Sequence, residues 1–144
     1  MVNIEDVYKK FGEASEVAQL LETELGTLLL QLLGTEKNLF EEQQPDIALK
    51  LLNGINKATL GQLIKRLDNT AKSEEQLVNM FSEALKTRNR LAHGFYLEHG
   101  LRRNSPEGCS LMLADLDQIH SVLLEAYKAS LLLSGIDIEQ LTNA

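Results

Sequence analysis

Leu77-Val78-Asn79-Met80-Phe81-Ser82-Glu83-Ala84-Leu85-Lys86-Thr87-Arg88-Asn89-Arg90-Leu91-Ala92-His93-Gly94-Phe95-Tyr96 is the stretch from which the fold is read. Within it Leu77, Phe81, Ala84, Arg88, Leu91 and Phe95 follow at alternating steps of four and three, the stripe of a helix packed on a partner. Five of these six residues are apolar and one is an arginine. A guanidinium keeps its charge, so on a core-facing stripe it requires an anion, a water-lined cleft or a subunit boundary. Where a sequence breaks its own local rule, function is sought first. The run Lys86 to Tyr96 is also the most basic in the chain and holds one of its three histidines.

The chain around this stretch reads as further helices. Ile4, Val7, Phe11, Ala14, Ala18, Leu21, Leu25, Leu28 and Leu32 keep the same alternation, which predicts one long helix from Asn3 to Leu33, stopped by Gly34. Gly12 and Gly26 lie inside it and suggest close helix approach. Thr35 to Gln44 is polar and reads as a connection; Pro45 can start a short helix to Leu52, ended by Asn53-Gly54. Asn56 caps a helix with Leu60, Leu63, Ile64 and Leu67 on its inner face, and Asp68 to Lys72 breaks it. Ser73-Glu74-Glu75-Gln76 has the form of a capping box opening the helix quoted above, which runs to Phe95 or on to His99. Gly100 to Gly108, with Pro106 and Arg102-Arg103, reads as a basic loop, and Cys109 to Leu113 as extended chain or a turn. A last helix is expected from Asp115 to Leu133, with Leu116, Ile119, Leu123 and Ala126 inward and Ser134-Gly135 as its stop. The fold class is all-α: an up-and-down bundle of four to five helices with a long N-terminal helix, in one domain over residues 1–144.

Composition narrows the function. With 14 Lys+Arg against 21 Asp+Glu the formal charge is −7, so the chain repels nucleic acid at long range and is no general RNA-coating protein; a small basic cleft remains compatible. Cys109 is the sole cysteine, so neither an internal disulfide nor a thiolate cluster can form. The opening Met-Val-Asn-Ile-Glu-Asp lacks the basic and apolar regions of a signal peptide, and no apolar run is long enough to span a bilayer. A cytoplasmic protein without membrane partners is expected.

On the quoted helix Asn89 and His93 are four apart and share a face; Tyr96 follows three further on, with Arg88 at its edge. A permanent cation, a carboxamide, an imidazole and a phenol are the parts that a metal-free phosphodiester cleavage needs. The imidazole can move a proton near neutral pH. The guanidinium can stabilise charge growing on the phosphorane.

Arg88-Asn89-Arg90-Leu91-Ala92-His93 resembles the Arg-x(4–6)-His signature of HEPN domains, including the polar residue that often follows their arginine. The helical plan, with the motif on a late helix, is similar as well. The resemblance implies a metal-independent endoribonuclease of toxin or phage-defence type, without cofactors, working as a homodimer whose two motifs form one composite cleft. It implies a dimer through the first helix and the motif helix, with an antitoxin or regulatory protein as a further partner. It gives Arg88 the scissile phosphate, Asn89 its orientation and His93 the role of general acid or base. The ribose 2′-hydroxyl would attack and leave a 2′,3′-cyclic phosphate. Lys86, Arg90, Tyr96, Arg102 and Arg103 are the candidate substrate-binding residues. Members regulated by AMP transfer often carry a tyrosine two residues after the histidine. Here Phe95 holds that position and Tyr96 is turned about 100° away, so that regulation is not implied.

Plainer readings stand beside these. Arg88 can be a structural arginine satisfied by Glu22 or Glu24; His93 before Gly94 can be a capping or interface residue; Arg102-Arg103 can be a solvated loop. Asp117 and His120 make half a metal site at most, because bundle di-iron sites need paired Glu-x-x-His motifs, and the chain offers none. His99 after Glu98 reads as a surface residue. The alternative function is therefore a non-catalytic HEPN-like bundle acting in protein interaction, regulation or nucleotide binding.

Overall fold

The computed structural model describes residues 1–32 and 74–134. The expected short helices at 45–52 and 56–67, Ser73 of the capping box and the C-terminal tail lie outside the described residues. Among the described residues the chain is all-helical: α1 (Ile4–Leu32), α2 (Glu74–His93), α3 (Phe95–His99), a 3-10 turn (Gly100–Asn104) and α4 (Pro106–Leu133). None of these helices is long and apolar enough to cross a membrane.

α1 starts where the sequence suggests. Asn3 and Asp6 cap each other: the Asn3 N–H donates to Asp6 Oδ2 (2.9 Å) and the Asp6 N–H to Asn3 Oδ1 (3.1 Å). The stripe of α1 buries Val7, Ala14, Ala18, Leu21, Leu25 and Leu28. From α4 come Cys109, Met112, Leu116, Ile119, Leu123 and Ala126, and from α2 Leu77, Phe81, Ala84 and Leu91. Contacts fix the directions. Lys10 meets Asp117 and Glu24 meets Ser134, so α1 and α4 run parallel. Glu22 meets Arg88 and Phe11 meets Phe95, so α2 runs against α1. Gly12 has open space where a Cβ would stand, so it marks no close helix approach.

Two expectations are corrected. The stretch Gly100–Gly108 is not an open loop: a 3-10 turn occupies its first half, and α4 begins at Pro106 rather than Asp115. Cys109–Leu113 is accordingly helical. Ser105 supplies the cap, accepting from the Gly108 N–H at 3.0 Å, and Pro106 fills the first helical position, where its missing N–H costs nothing. Gly108 is needed for a different reason. A Cβ there would lie 2.0 Å from the Arg102 carbonyl oxygen and 2.7 Å from its Cα, because the 3-10 turn packs directly on the start of α4. The Cys109 thiol adds a weak bond to the Arg103 carbonyl at 3.4 Å.

Gly108→Ala drives a methyl into backbone that no rotamer change can clear. Overpacking costs typically 1–3 kcal/mol, and a clash with main chain belongs at about the upper end. Chemical denaturation should show the midpoint falling with the slope unchanged.

Candidate functional site

α2 and α3 are nearly one helix. Gly94, with φ −127° and ψ −13°, separates them: its N–H donates to the Arg90 carbonyl (2.8 Å) and its carbonyl accepts from the Glu98 N–H (2.9 Å), so the helix expected to run on to Phe95 or His99 ends at His93 and a second short one follows. Of the stripe residues, Leu77, Phe81, Ala84, Leu91 and Phe95 are buried. The Arg88 side chain is 14% exposed, against 15% for its partner Glu22 on α1, whose Oε1 accepts from Arg88 Nε. Of the two glutamates considered for this role, Glu22 takes it; Glu24 accepts from the Ser134 hydroxyl. Arg88 Nη1 donates to Asn89 Oδ1 at 2.5 Å, tying the two motif residues together at the surface. Two of the five guanidinium N–H donors are thus used among the described residues. Asn89 and His93 are exposed one turn apart on the same face, and no described residue bonds the imidazole. Lys86 is exposed on the preceding turn.

The other candidate cations are placed differently. Arg90 points to α4, where Nη1 donates to Asp115 Oδ1 (3.0 Å), Nη2 donates to Asp115 Oδ2, and Nε donates to Glu98 Oε2 (2.6 Å). This bidentate pair fixes α2 to α4 and occupies the guanidinium with protein partners. His99, expected at the surface, is buried with its side chain 5% exposed. Its ring packs on Phe95 at 4.6 Å between centroids. Arg102 Nη1 lies 2.9 Å from His99 Nδ1, and His99 Nε2 lies 2.7 Å from Asp115 Oδ2. Arginine can only donate, so Nδ1 accepts and the Nε2–H is given to Asp115. Arg103 Nη2 donates to the Tyr8 hydroxyl at 2.8 Å. Arg102 and Arg103 are thus bonded to ring side chains rather than left as a free solvated pair.

The charges respond to these contacts. The Arg90 hydrogen bonds hold the Asp115 carboxyl below its ordinary 3.8, against the opposing effect of burial, with His99 helping. Asp115 in turn raises Arg90. Burial, with Tyr8 beside it, lifts the Tyr96 phenol above 10.0, while Arg103 pulls the other way.

Asp117 and His120 hold a lysine. Lys10 Nζ lies 3.0 Å from His120 Nδ1, 3.4 Å from Asp117 and 3.7 Å from Glu13. Among the described residues no three His, Cys, Asp or Glu side chains are grouped as metal ligands. An open groove of about 570 Å³ near the start of α1 is lined by charges of both signs, including Lys9, Lys10, Asp6 and Asp117, and by none of the motif residues. Sequence reasoning missed Asp115, Tyr8 and the burial of His99. The signal for the first two was only their helical register, since their partners are distant in the chain. Comparison of the chain with protein-family models, curated proteins and solved structures returned no match.

Asp115 makes an acid-sensitive clamp. Its folded pKa lies below its unfolded value, so its stabilisation is fully present above about pH 4 and is lost as pH falls through the folded value. Asp115→Asn should cost about 1.5–3 kcal/mol at pH 7, the range for hydrogen bonds to charged groups. Urea unfolding at pH 7 and at acid pH should show the difference between the variant and the parent protein shrinking in acid.

Proposed function

We propose that this chain is a metal-independent endoribonuclease of the HEPN type, acting in a toxin–antitoxin or phage-defence setting. Arg88 binds the scissile phosphate, Asn89 orients it, and His93 moves the proton. The observation that carries this reading is the edge of α2, where a guanidinium with donors unused among the described residues is bonded to Asn89, one turn from an exposed imidazole. The ribose 2′-hydroxyl attacks the phosphorus and the 5′-oxygen of the next nucleotide leaves, giving a 2′,3′-cyclic phosphate. One imidazole cannot take the first proton and deliver another at the same moment, so a second copy of the chain supplies the second His93. Leu97 and Leu101, 85% and 82% exposed, follow His93 and support a homodimer contact beside the cleft. Glu22 occupies Arg88 in the free protein, so substrate phosphate must displace a carboxylate.

A second reading is a non-catalytic HEPN-like bundle serving protein interaction or regulation, with an antitoxin or regulatory protein as partner. The mostly buried Arg88–Glu22 pair favours it, because a carboxylate of the same chain already neutralises the guanidinium, and the charge of −7 is unsuited to RNA capture.

The two readings separate on a mixed RNA pool with EDTA present. The nuclease reading expects wild-type protein to produce fragments with cyclic phosphate ends. His93→Ala and Arg88→Ala should each lose about 10²-fold or more of that activity, the least expected of an acid–base group. Cleavage by His93→Ala at the wild-type rate removes His93 from the mechanism. Intact RNA with folded wild-type protein favours the binding bundle.

A further inference from the structure

We infer that Tyr8, Tyr96 and Arg103 form a nucleobase-stacking subsite for single-stranded RNA beside His93, an assignment that rests on the ribonuclease reading. The two phenols come from different elements, α1 and α3, and meet edge to face at 6.3 Å between centroids. Tyr8 is 47% exposed and Tyr96 37%. Both therefore keep open ring surface.

The rings do not fold away. Phe11 and Phe95 lie behind Tyr96 at 5.0 and 5.1 Å between centroids, and 5.7 Å from each other. Phe95 is fully buried, so the platform stands on the core and loses little freedom when a base lands on it. Arg103 sits at the rim, its Nη2 bonded to the Tyr8 hydroxyl and its Cζ 5.9 Å from the Tyr8 ring centroid. Among the described residues this is the only hydrogen bond of its guanidinium, which leaves donors for a phosphate or a base edge.

Position links the platform to the chemistry. His93 ends α2 and Tyr96 stands in the first turn of α3, three residues further along the chain across Gly94. A nucleotide whose phosphate lies at His93 therefore has its base, or its neighbour's, within reach of the two rings. Plain core packing accounts for Phe11 and Phe95. It does not account for two half-open phenols with a cation at their edge, where aliphatic side chains would close the same core.

The subsite also fits the charge of the chain. At −7 the protein gains nothing from long-range attraction of RNA, so affinity has to come from short-range contacts. Stacking supplies them, and because every base has a π-face the subsite tolerates many sequences.

The test uses a short single-stranded RNA made uncleavable by 2′-O-methylation, and the same strand with abasic positions. The chain has no tryptophan, so its emission comes from three tyrosines, and a base stacking on Tyr8 and Tyr96 quenches it. Tyr8→Leu and Tyr96→Leu should weaken binding of the intact strand by about 5- to 100-fold, the range for loss of one stacked base. Neither should alter the already weaker binding of the abasic strand. Arg103→Gln, at an exposed position, keeps the test valid if a tyrosine variant melts early; it too should weaken the intact strand. Equal affinity of wild type and Tyr8→Leu, equal affinity for both strands, or no binding by folded wild type overturns the subsite. So does a Tyr8→Leu change in sedimentation without a change in RNA affinity, which would give the patch to a second copy. Failure of the ribonuclease reading is scored separately, as intact unmodified RNA in the presence of a folded protein that still binds the methylated strand.

Discussion

The carboxylate of Asp115 orients the candidate site. It receives both terminal nitrogens of Arg90 from α2 and the Nε2–H of His99 from α3, while His99 accepts from Arg102 of the 3-10 turn. Three consecutive elements are thereby tied to one position on α4. The Arg90–Asp115 pair is only part-buried, whereas His99 is buried, so removing the shared carboxylate leaves a buried imidazole N–H without its acceptor. The effect of these contacts is geometric. With Arg90 turned inward to α4, the helix rotation places Arg88 toward α1 and leaves Asn89 and His93 facing out.

Arg88 faces the opposite situation. Its partner Glu22 sits at the boundary between core and solvent, where exchanging a carboxylate for a phosphate costs less than it would in a dry interior. A phosphodiester offers the planar guanidinium the same kind of bidentate partner as a carboxylate does. On the proposed function, the pair stabilises the folded chain and releases the cation to a substrate phosphate. The structural and catalytic readings of the arginine are then compatible, and RNA competes with Glu22 for its place. The proposed subsite at Tyr8 and Tyr96 would add short-range attraction to that competition.

Much of the fold was legible because its signals are local and periodic. The alternation from Ile4 to Leu32 placed the start of α1 within one residue, and the inward set Leu116, Ile119, Leu123 and Ala126 is buried as expected. The start of α4 was misread because Pro106 and Gly108 are common in loops. Ser105-Pro106-Glu107 carried the true start signal, and Gly108 answers to packing against Arg102 that local sequence does not reveal. The Arg88–Glu22 pairing was readable as one of two choices, since a charge on an apolar stripe demands a partner. His99 could not be placed in this way: its burial depends on Asp115 sixteen residues away and on the bend at Gly100, whose φ is +56°. A separation of 25 residues from Asp115 hid the engagement of Arg90, which from its neighbours alone reads as a free cation.

The proposed function turns on whether Arg88 exchanges Glu22 for a substrate phosphate. Its most direct test is the affinity of Glu22→Gln for uncleavable RNA, measured beside its thermal stability. The account predicts a lower melting temperature together with tighter RNA binding, because the amide holds the guanidinium less strongly than the carboxylate. A folded Glu22→Gln protein whose RNA affinity is unchanged or weaker would contradict it, and would make Arg88 a structural residue of the bundle.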